Sequence, residues 1–171
     1  MTTRTKNKQT VISKDAASKK LTVVRAFDAP LEDVWKAWTD SALLDQWWAP
    51  KPWKAETKTM DFREGGYWLY CMIGPEGERS WARADYQTIV PHKRFSATDA
   101  FCDEAGNKND TFPSMHWSNT FTQTSDGTNV EVVITFSSEA DIEKIIEMGF
   151  EAGFTAALGN LDALLEKQLQ S

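Results

Sequence analysis

Hydrophobic and polar positions change period along the chain, and the changes divide it into a strand, two short helices, a run of strands and a terminal helix. Leu21, Val23, Arg25 and Phe27 alternate with Thr22, Val24 and Ala26, the period of two expected of a first β-strand. Pro30 suits the first turn of a helix, and Leu31, Val34, Trp35 and Trp38 then fall on one helical face. Asp40 is placed to cap a second short helix through Leu43, Leu44 and Trp47 that ends before Pro50. From Trp53 to Phe136 the pattern is a meander of antiparallel strands. Its turns are marked by Glu64-Gly65-Gly66, Gly74-Pro75-Glu76-Gly77, Pro91-His92-Lys93, Glu104-Ala105-Gly106-Asn107 and Ser125-Asp126-Gly127. Ser138 and Asp141 resemble a capping box. Behind them Ile142, Ile146, Phe150, Phe154, Ala157, Leu161 and Leu164 form one stripe, which predicts a single long helix to about residue 168.

Strands in a run with helices at their flanks predict an α+β domain. A curved antiparallel sheet of six to seven strands would wrap around the long C-terminal helix, with the two short helices after the first strand. One domain over residues 20–168 suits the length of 171 residues. Residues 1–19 are polar and without periodicity, and read as a disordered lead-in.

Charge sharpens that division. Residues 1–20 hold Arg4, Lys6, Lys8, Lys14, Lys19 and Lys20 against Asp15 alone, a balance of +5 in a chain of net charge −6, so the rest carries −11. An acidic body argues against nucleic acid or an anionic membrane as the main partner. No apolar run resembles a signal peptide or reaches the roughly 18 to 20 residues of a membrane span, so a cytoplasmic protein is expected. Cys71 and Cys102 form no CxxC or Cys/His cluster, and His92 and His116 are the two histidines. Neither a metal site nor a cofactor is expected from them.

Eight Trp and nine Phe turn attention to the interior. Aromatic side chains bury large areas, and interiors rich in them either pack solid or line cavities. Strand alternation sorts the faces. Arg83 and Asp85 should face water, turning Ala82, Ala84 and Tyr86 inward. Phe95, Ala97, Asp99 and Phe101 share an inward face, as do Met115, Trp117, Asn119 and Phe121, and as do Val132, Ile134 and Phe136. The strand Tyr67–Met72 is apolar on both faces and is not assigned. Asp99 and Asn119 are thus two polar groups directed inward. Each must pair with backbone or a ring donor, or give a ligand its polar anchor.

On the terminal helix Gly149 and Gly153 leave either open volume or close helix–sheet packing, with Met148, Phe150 and Phe154 as the wall in both cases. Trp35 and Trp38 fit the core by spacing, while Trp48, of the Trp47-Trp48 pair, can reach a pocket. The candidate lining is Trp48, Tyr70, Ala84, Tyr86, Asp99, Phe101, Trp117, Asn119, Phe121, Phe150, Gly153 and Phe154. His92 lies in a turn and His116 on the outer face, so no histidine base is expected inside, and no catalytic motif occurs. Cys71 and Cys102 read as small buried apolar groups.

The segments Arg25-Ala26-Phe27-Asp28-Ala29-Pro30, Val34-Trp35-Lys36-Ala37-Trp38-Thr39-Asp40 and Gln46-Trp47-Trp48-Ala49-Pro50 resemble the opening of the activator of heat-shock protein 90 ATPase homologue family, in the START-like, birch-pollen-allergen-like superfamily. Asp61-Phe62-Arg63-Glu64-Gly65-Gly66-Tyr67-Trp68, Ile89-Val90-Pro91-His92-Lys93-Arg94-Phe95 and Gly149-Phe150-Glu151-Ala152-Gly153-Phe154 continue it over residues 20–168. The resemblance implies a helix-grip fold with a cavity between sheet and helix. Members of that superfamily bind lipids, sterols, hormones and polyketides, and a few catalyse cyclisations. Three functions follow as expectations. The first is non-catalytic binding of a small hydrophobic or aromatic molecule. The second is a chaperone-associated, stress-related interaction module. The third is a cyclase- or hydrolase-like enzyme using Asp99 with Tyr70 or Tyr86. Monomer and homodimer both stay open.

Overall fold

The computed structural model describes residues 10–109, 111 and 114–169. The basic residues Arg4, Lys6 and Lys8 of the lead-in lie outside the described residues. The chain runs β1 (Val11–Asp15), β2 (Lys20–Phe27), α1 (Leu31–Thr39), α2 (Ser41–Trp47), β3 (Lys54–Met60), β4 (Tyr67–Ile73), β5 (Arg79–Val90), β6 (Arg94–Cys102), β7 (Met115–Gln123), β8 (Thr128–Thr135), α3 (Glu139–Glu147) and α4 (Phe150–Leu169).

All eight strands form one antiparallel sheet in the order β1-β2-β8-β7-β6-β5-β4-β3. The expected α+β class holds, and the count of six to seven strands is corrected to eight. The extra strand is β1, inside the polar stretch 1–19. It pairs with β2 from Val11↔Val24 to Asp15↔Lys20. As an edge strand with mostly exposed side chains, it is held by ladder hydrogen bonds and leaves no amphipathic trace in sequence. Pairing of β2 with β8 brings together strands far apart in the chain: Leu21 pairs with Ile134, 113 positions later. Register shifts in β3 between Thr57 and Thr59 and in β5 between Tyr86 and Ile89 bend the strands they interrupt.

The alternation read from sequence is realised on the inner face. Leu21, Val23 and Phe27 of β2, Val130, Val132 and Ile134 of β8, and Met115, Trp117, Asn119 and Phe121 of β7 are buried there. Arg25, which the alternation sets on the same face, is buried among them, a charge on an apolar face. The two-faced strand β4 resolves into Trp68 and Tyr70 in the core and Leu69 and Cys71 buried outside it. Outside, the loop after β6 folds back: Arg83 donates to the Gly106 carbonyl at 2.9 Å, and Lys108 pairs with Asp85.

Helix α1 starts directly after Pro30, its N-cap, and the Asp40 carboxylate caps α2 by accepting from the Ala42 N–H at 2.9 Å. Ser138 caps α3 by accepting from the Asp141 N–H. The single terminal helix expected over 139–168 is two helices. Met148 ends α3, and Gly149 follows at φ +91°, a backbone conformation that L side chains rarely adopt. The turn rephases the apolar face, so Ile142 and Ile145 are buried before it and Phe154, Ala157, Leu158, Leu161 and Leu165 after it. Ile146 and Leu164 are only partly covered, although the continuous stripe included them. The buried residues of α4 share one hydrophobic core with the inner face of the sheet and with Val34, Trp35, Trp38, Leu44 and Trp47.

Candidate functional site

Trp48 occupies the centre of the interior. It follows α2 directly, and Asn160 of α4 holds the segment by donating to the Ala49 carbonyl at 3.1 Å. Its ring lies 5.5 Å from Trp68, 5.9 Å from both Trp117 and Phe154, and 6.0 Å from Trp38, between centroids. Most of these pairs are edge-to-face, the arrangement that the ring quadrupoles favour. The neighbouring Trp47 is fully buried and donates its indole N–H to the Ala37 carbonyl at 2.9 Å. Trp35, Trp38 and Trp47 are core struts, while Trp48 borders open space.

That space is a cavity of about 270 Å³ between the sheet and the α3–α4 junction. One wall is Ile145, Met148, Gly149, Phe150, Gly153 and Phe154. The opposite wall comes from four strands: Tyr70 and Met72, Ser80 and Ala82, Asp99 to Phe101, and Met115 with Trp117. Trp48 and Pro50 close a third side. Met148 and Gly149 are exposed, so the cavity meets solvent where α3 turns into α4. A Cβ on Gly153 would meet only the Pro50 ring, at 3.8 Å, so the open volume beside it exists because the side chain is missing.

Of the twelve candidate residues, Trp48, Tyr70, Asp99, Phe101, Trp117, Phe150, Gly153 and Phe154 line this cavity. Ala84, Tyr86 and Asn119 do not. They line a smaller chamber of about 30 Å³, together with Trp38, Trp68, Phe95 and Ala97. Phe121 lines neither and packs in the core, 5.1 Å from Trp35 and 6.0 Å from Phe95. All four were placed on the correct face, but farther along their strands than the cavity extends. Met148 and Gly149, read as wall and open volume on the terminal helix, line the cavity too, whereas Pro50, Met72, Ser80, Ala100 and Ile145 were missed as lining residues. Met72 was signalled by the alternation of Trp68 and Tyr70, once one face of β4 is assigned.

The two chambers share Trp48, Asp99 and Trp117, which stand between them. The Asp99 side chain keeps some exposed surface because it borders the cavity, while its Oδ1 is enclosed and has no hydrogen-bond partner. Burial pushes its pKa up to about 7, helped by the negative charge of Asp85 and opposed by the Ala100 N–H. Burial and the charge of Asp99 push the Tyr70 and Tyr86 phenols above their ordinary range. Asp99 can therefore hold or release a proton near neutral pH, while both tyrosines stay protonated. His116 is on the outer face of β7, and His92 sits in a turn with its ring 5.6 Å from Trp35. Burial raises the Cys102 thiol to about 11, against an activated thiolate. Among the described residues no cluster of three His, Cys, Asp or Glu could hold a metal ion, and no helix is long and apolar enough to cross a membrane.

Residues 28–166 match the family model described as activator of Hsp90 ATPase homolog 1-like protein. The fold is similar to protein Ms6760 from Mycobacterium smegmatis, at 30% identity, TM-score 0.85, covering 92% of this chain and 97% of that one. It is also similar to a protein from Arthrobacter aurescens, at 31% identity, TM-score 0.87, covering 92% and 91%. A protein from Silicibacter pomeroyi with the same family name shares the fold at 20% identity, TM-score 0.70, covering 87% and 99%. No curated protein matches.

Proposed function

The chain belongs to the activator of Hsp90 ATPase homolog 1-like family, and from that premise we propose that it binds a small hydrophobic or aromatic molecule, without turnover, in a helix-grip cavity between sheet and α4. The observation that carries this reading is the cavity itself. Protein interiors pack at the density of organic crystals, and leaving about 270 Å³ unfilled forgoes packing energy on the order of several kcal/mol. Its walls are mainly Trp, Phe, Met and Ala side chains, with a few polar groups from Asp99, Tyr70 and Ser80. An apolar, concave site with few polar groups is the usual design of a small-molecule pocket.

The family's description raises a chaperone-associated reading for this chain as well. It has less support, because Val11 and Met148 are the exposed large hydrophobics among the described residues and lie on different elements. A cyclase- or hydrolase-like reading would have Asp99 alone as its base, since both tyrosines hold their protons.

Gly153 gives the test. Gly153→Ala adds a methyl that fits, whereas Gly153→Leu puts a side chain into the cavity. Native mass spectrometry of protein isolated from its own host should show a small molecule on the wild type and on Gly153→Ala, and none on Gly153→Leu. All three should give the same circular dichroism. Full retention by Gly153→Leu, or a wild type that carries nothing and binds no apolar probe, overturns the reading.

A further inference from the structure

Among the described residues, four buried side-chain polar atoms lack a hydrogen-bond partner: Nε1 of Trp38, Nε1 of Trp117, Oδ1 of Asp99 and Oδ1 of Asn119. All four belong to residues that line the same small chamber. Buried polar groups are nearly always paired, so four orphans gathered around one space point to that space as the place where partners bind. The Asn119 orientation follows from its other end, because Nδ2 donates to the Phe95 carbonyl, a group that can only accept. That leaves Oδ1 as the free atom. The chamber's 30 Å³ is room enough for a water or a hydroxyl.

The charges and donors select what fits. Two indole N–H groups can only donate, and the Asn119 oxygen can only accept. An ammonium group cannot accept from the indoles. A carboxylate cannot donate to Asn119, and it would sit against the negative charge of Asp99. A neutral hydroxyl does both, accepting from an indole while donating to the amide or the carboxyl.

Resting on the cavity reading above, we infer that the ligand is a neutral aromatic or alicyclic alcohol, its apolar body in the large cavity and its hydroxyl in the inner chamber among Trp38, Trp117, Asn119 and Asp99. The chambers share Asp99, Trp48 and Trp117 as lining, so a molecule in the large cavity has only these side chains to displace for its hydroxyl to enter the inner chamber. A resident water would not change the preference. A hydroxyl reproduces the water's hydrogen bonds on displacing it, and a methyl group does not.

Three probes on one frame test this by calorimetry at pH 7.5: 2-naphthol, 2-methylnaphthalene and 2-naphthoate. Transfer from water alone favours the methyl compound, so the sign of the difference is decisive. The expected result is 2-naphthol binding about 10-fold more tightly than 2-methylnaphthalene, with 2-naphthoate weakest. Asn119→Leu should erase the preference for hydroxyl. Trp117→Phe, which keeps a ring and removes one donor, should reduce it several-fold and serves if the first variant fails to fold. Equal or tighter binding of 2-methylnaphthalene overturns the hydroxyl inference and leaves the cavity reading standing. Binding of none of the three overturns both. A preference that is undiminished in the folded variants also overturns the inference, because the hydroxyl then sits elsewhere.

Discussion

Asp99 keeps its proton in the folded protein over a pH range in which the unfolded chain gives it up. Its folded pKa is about 7 against an ordinary value of 3.8, with burial as the main cause. Below about pH 4 both states are protonated and Asp99 has no effect on the balance. As pH rises from about 4 to about 7, the unfolded state loses the proton first, so stability falls, and above about 7 the loss is complete. Asp99→Asn removes this slope. Relative to wild type, the variant should gain roughly 2–3 kcal/mol between pH 5 and pH 8, read from urea midpoints at the two pH values. Parallel behaviour of the two proteins would mean that Asp99 is solvated. At this scale the sequence was informative about direction and silent about depth. Period two put Asp99, Asn119, Tyr86 and Phe121 on the inner face, and each is there. How far along a strand the helix stands off the sheet is set by α4, which no strand pattern encodes. Ala84, Tyr86, Asn119 and Phe121 therefore miss the main cavity.

The α3–α4 junction works through backbone conformation. Gly149 has φ +91° and nothing within 4 Å of where a Cβ would stand, so substitution there costs conformational energy without steric clash. Gly149→Ala should lower stability by about 1–2 kcal/mol. Gly153→Ala, inside α4, should raise it by up to about 1 kcal/mol, because glycine is a poor helix former. Thermal unfolding of the two variants distinguishes these origins, and shifts of the same sign would contradict the assignment. The two ends of α1 and α2 were legible because Pro30 and Asp40 act locally. The break after Met148 was not, since Ile142, Ile146, Phe150 and Phe154 keep an unbroken helical period across it. Strand β1 escaped for the opposite reason, having almost no apolar pattern to read. Its place depends on the edge of β2.

Over the whole molecule, α4 is fixed to the sheet toward its C-terminal half and stands off it near its start. Arg25, on the inner face of β2, forms an ion pair with Asp162 through both guanidinium nitrogens, Nη1 lying 3.5 Å from Oδ1. Nη1 also donates to the Ala26 carbonyl at 2.8 Å, and Nε to the Thr10 hydroxyl at 3.2 Å. The Arg25 side chain is 6% exposed and that of Asp162 is 19%. A charge buried this far cannot lose its partner without penalty, although the pair as a whole need not exceed a hydrophobic replacement in stability. Asp162→Ala should therefore destabilise by about 3 kcal/mol, and Arg25→Met combined with Asp162→Leu should recover most of the loss. Urea unfolding checks both, and a double variant as unstable as the single one would show that the pair contributes net attraction. Asp162 lies more than two turns beyond Gly153, roughly 13 Å along the helix axis. The cavity wall is thus held from a distance by a rigid helix. Weakening the anchor should lower the unfolding midpoint while leaving 2-naphthol affinity within about 3-fold in the folded variant. A large loss of affinity would instead make the ion pair part of what sets the cavity's shape.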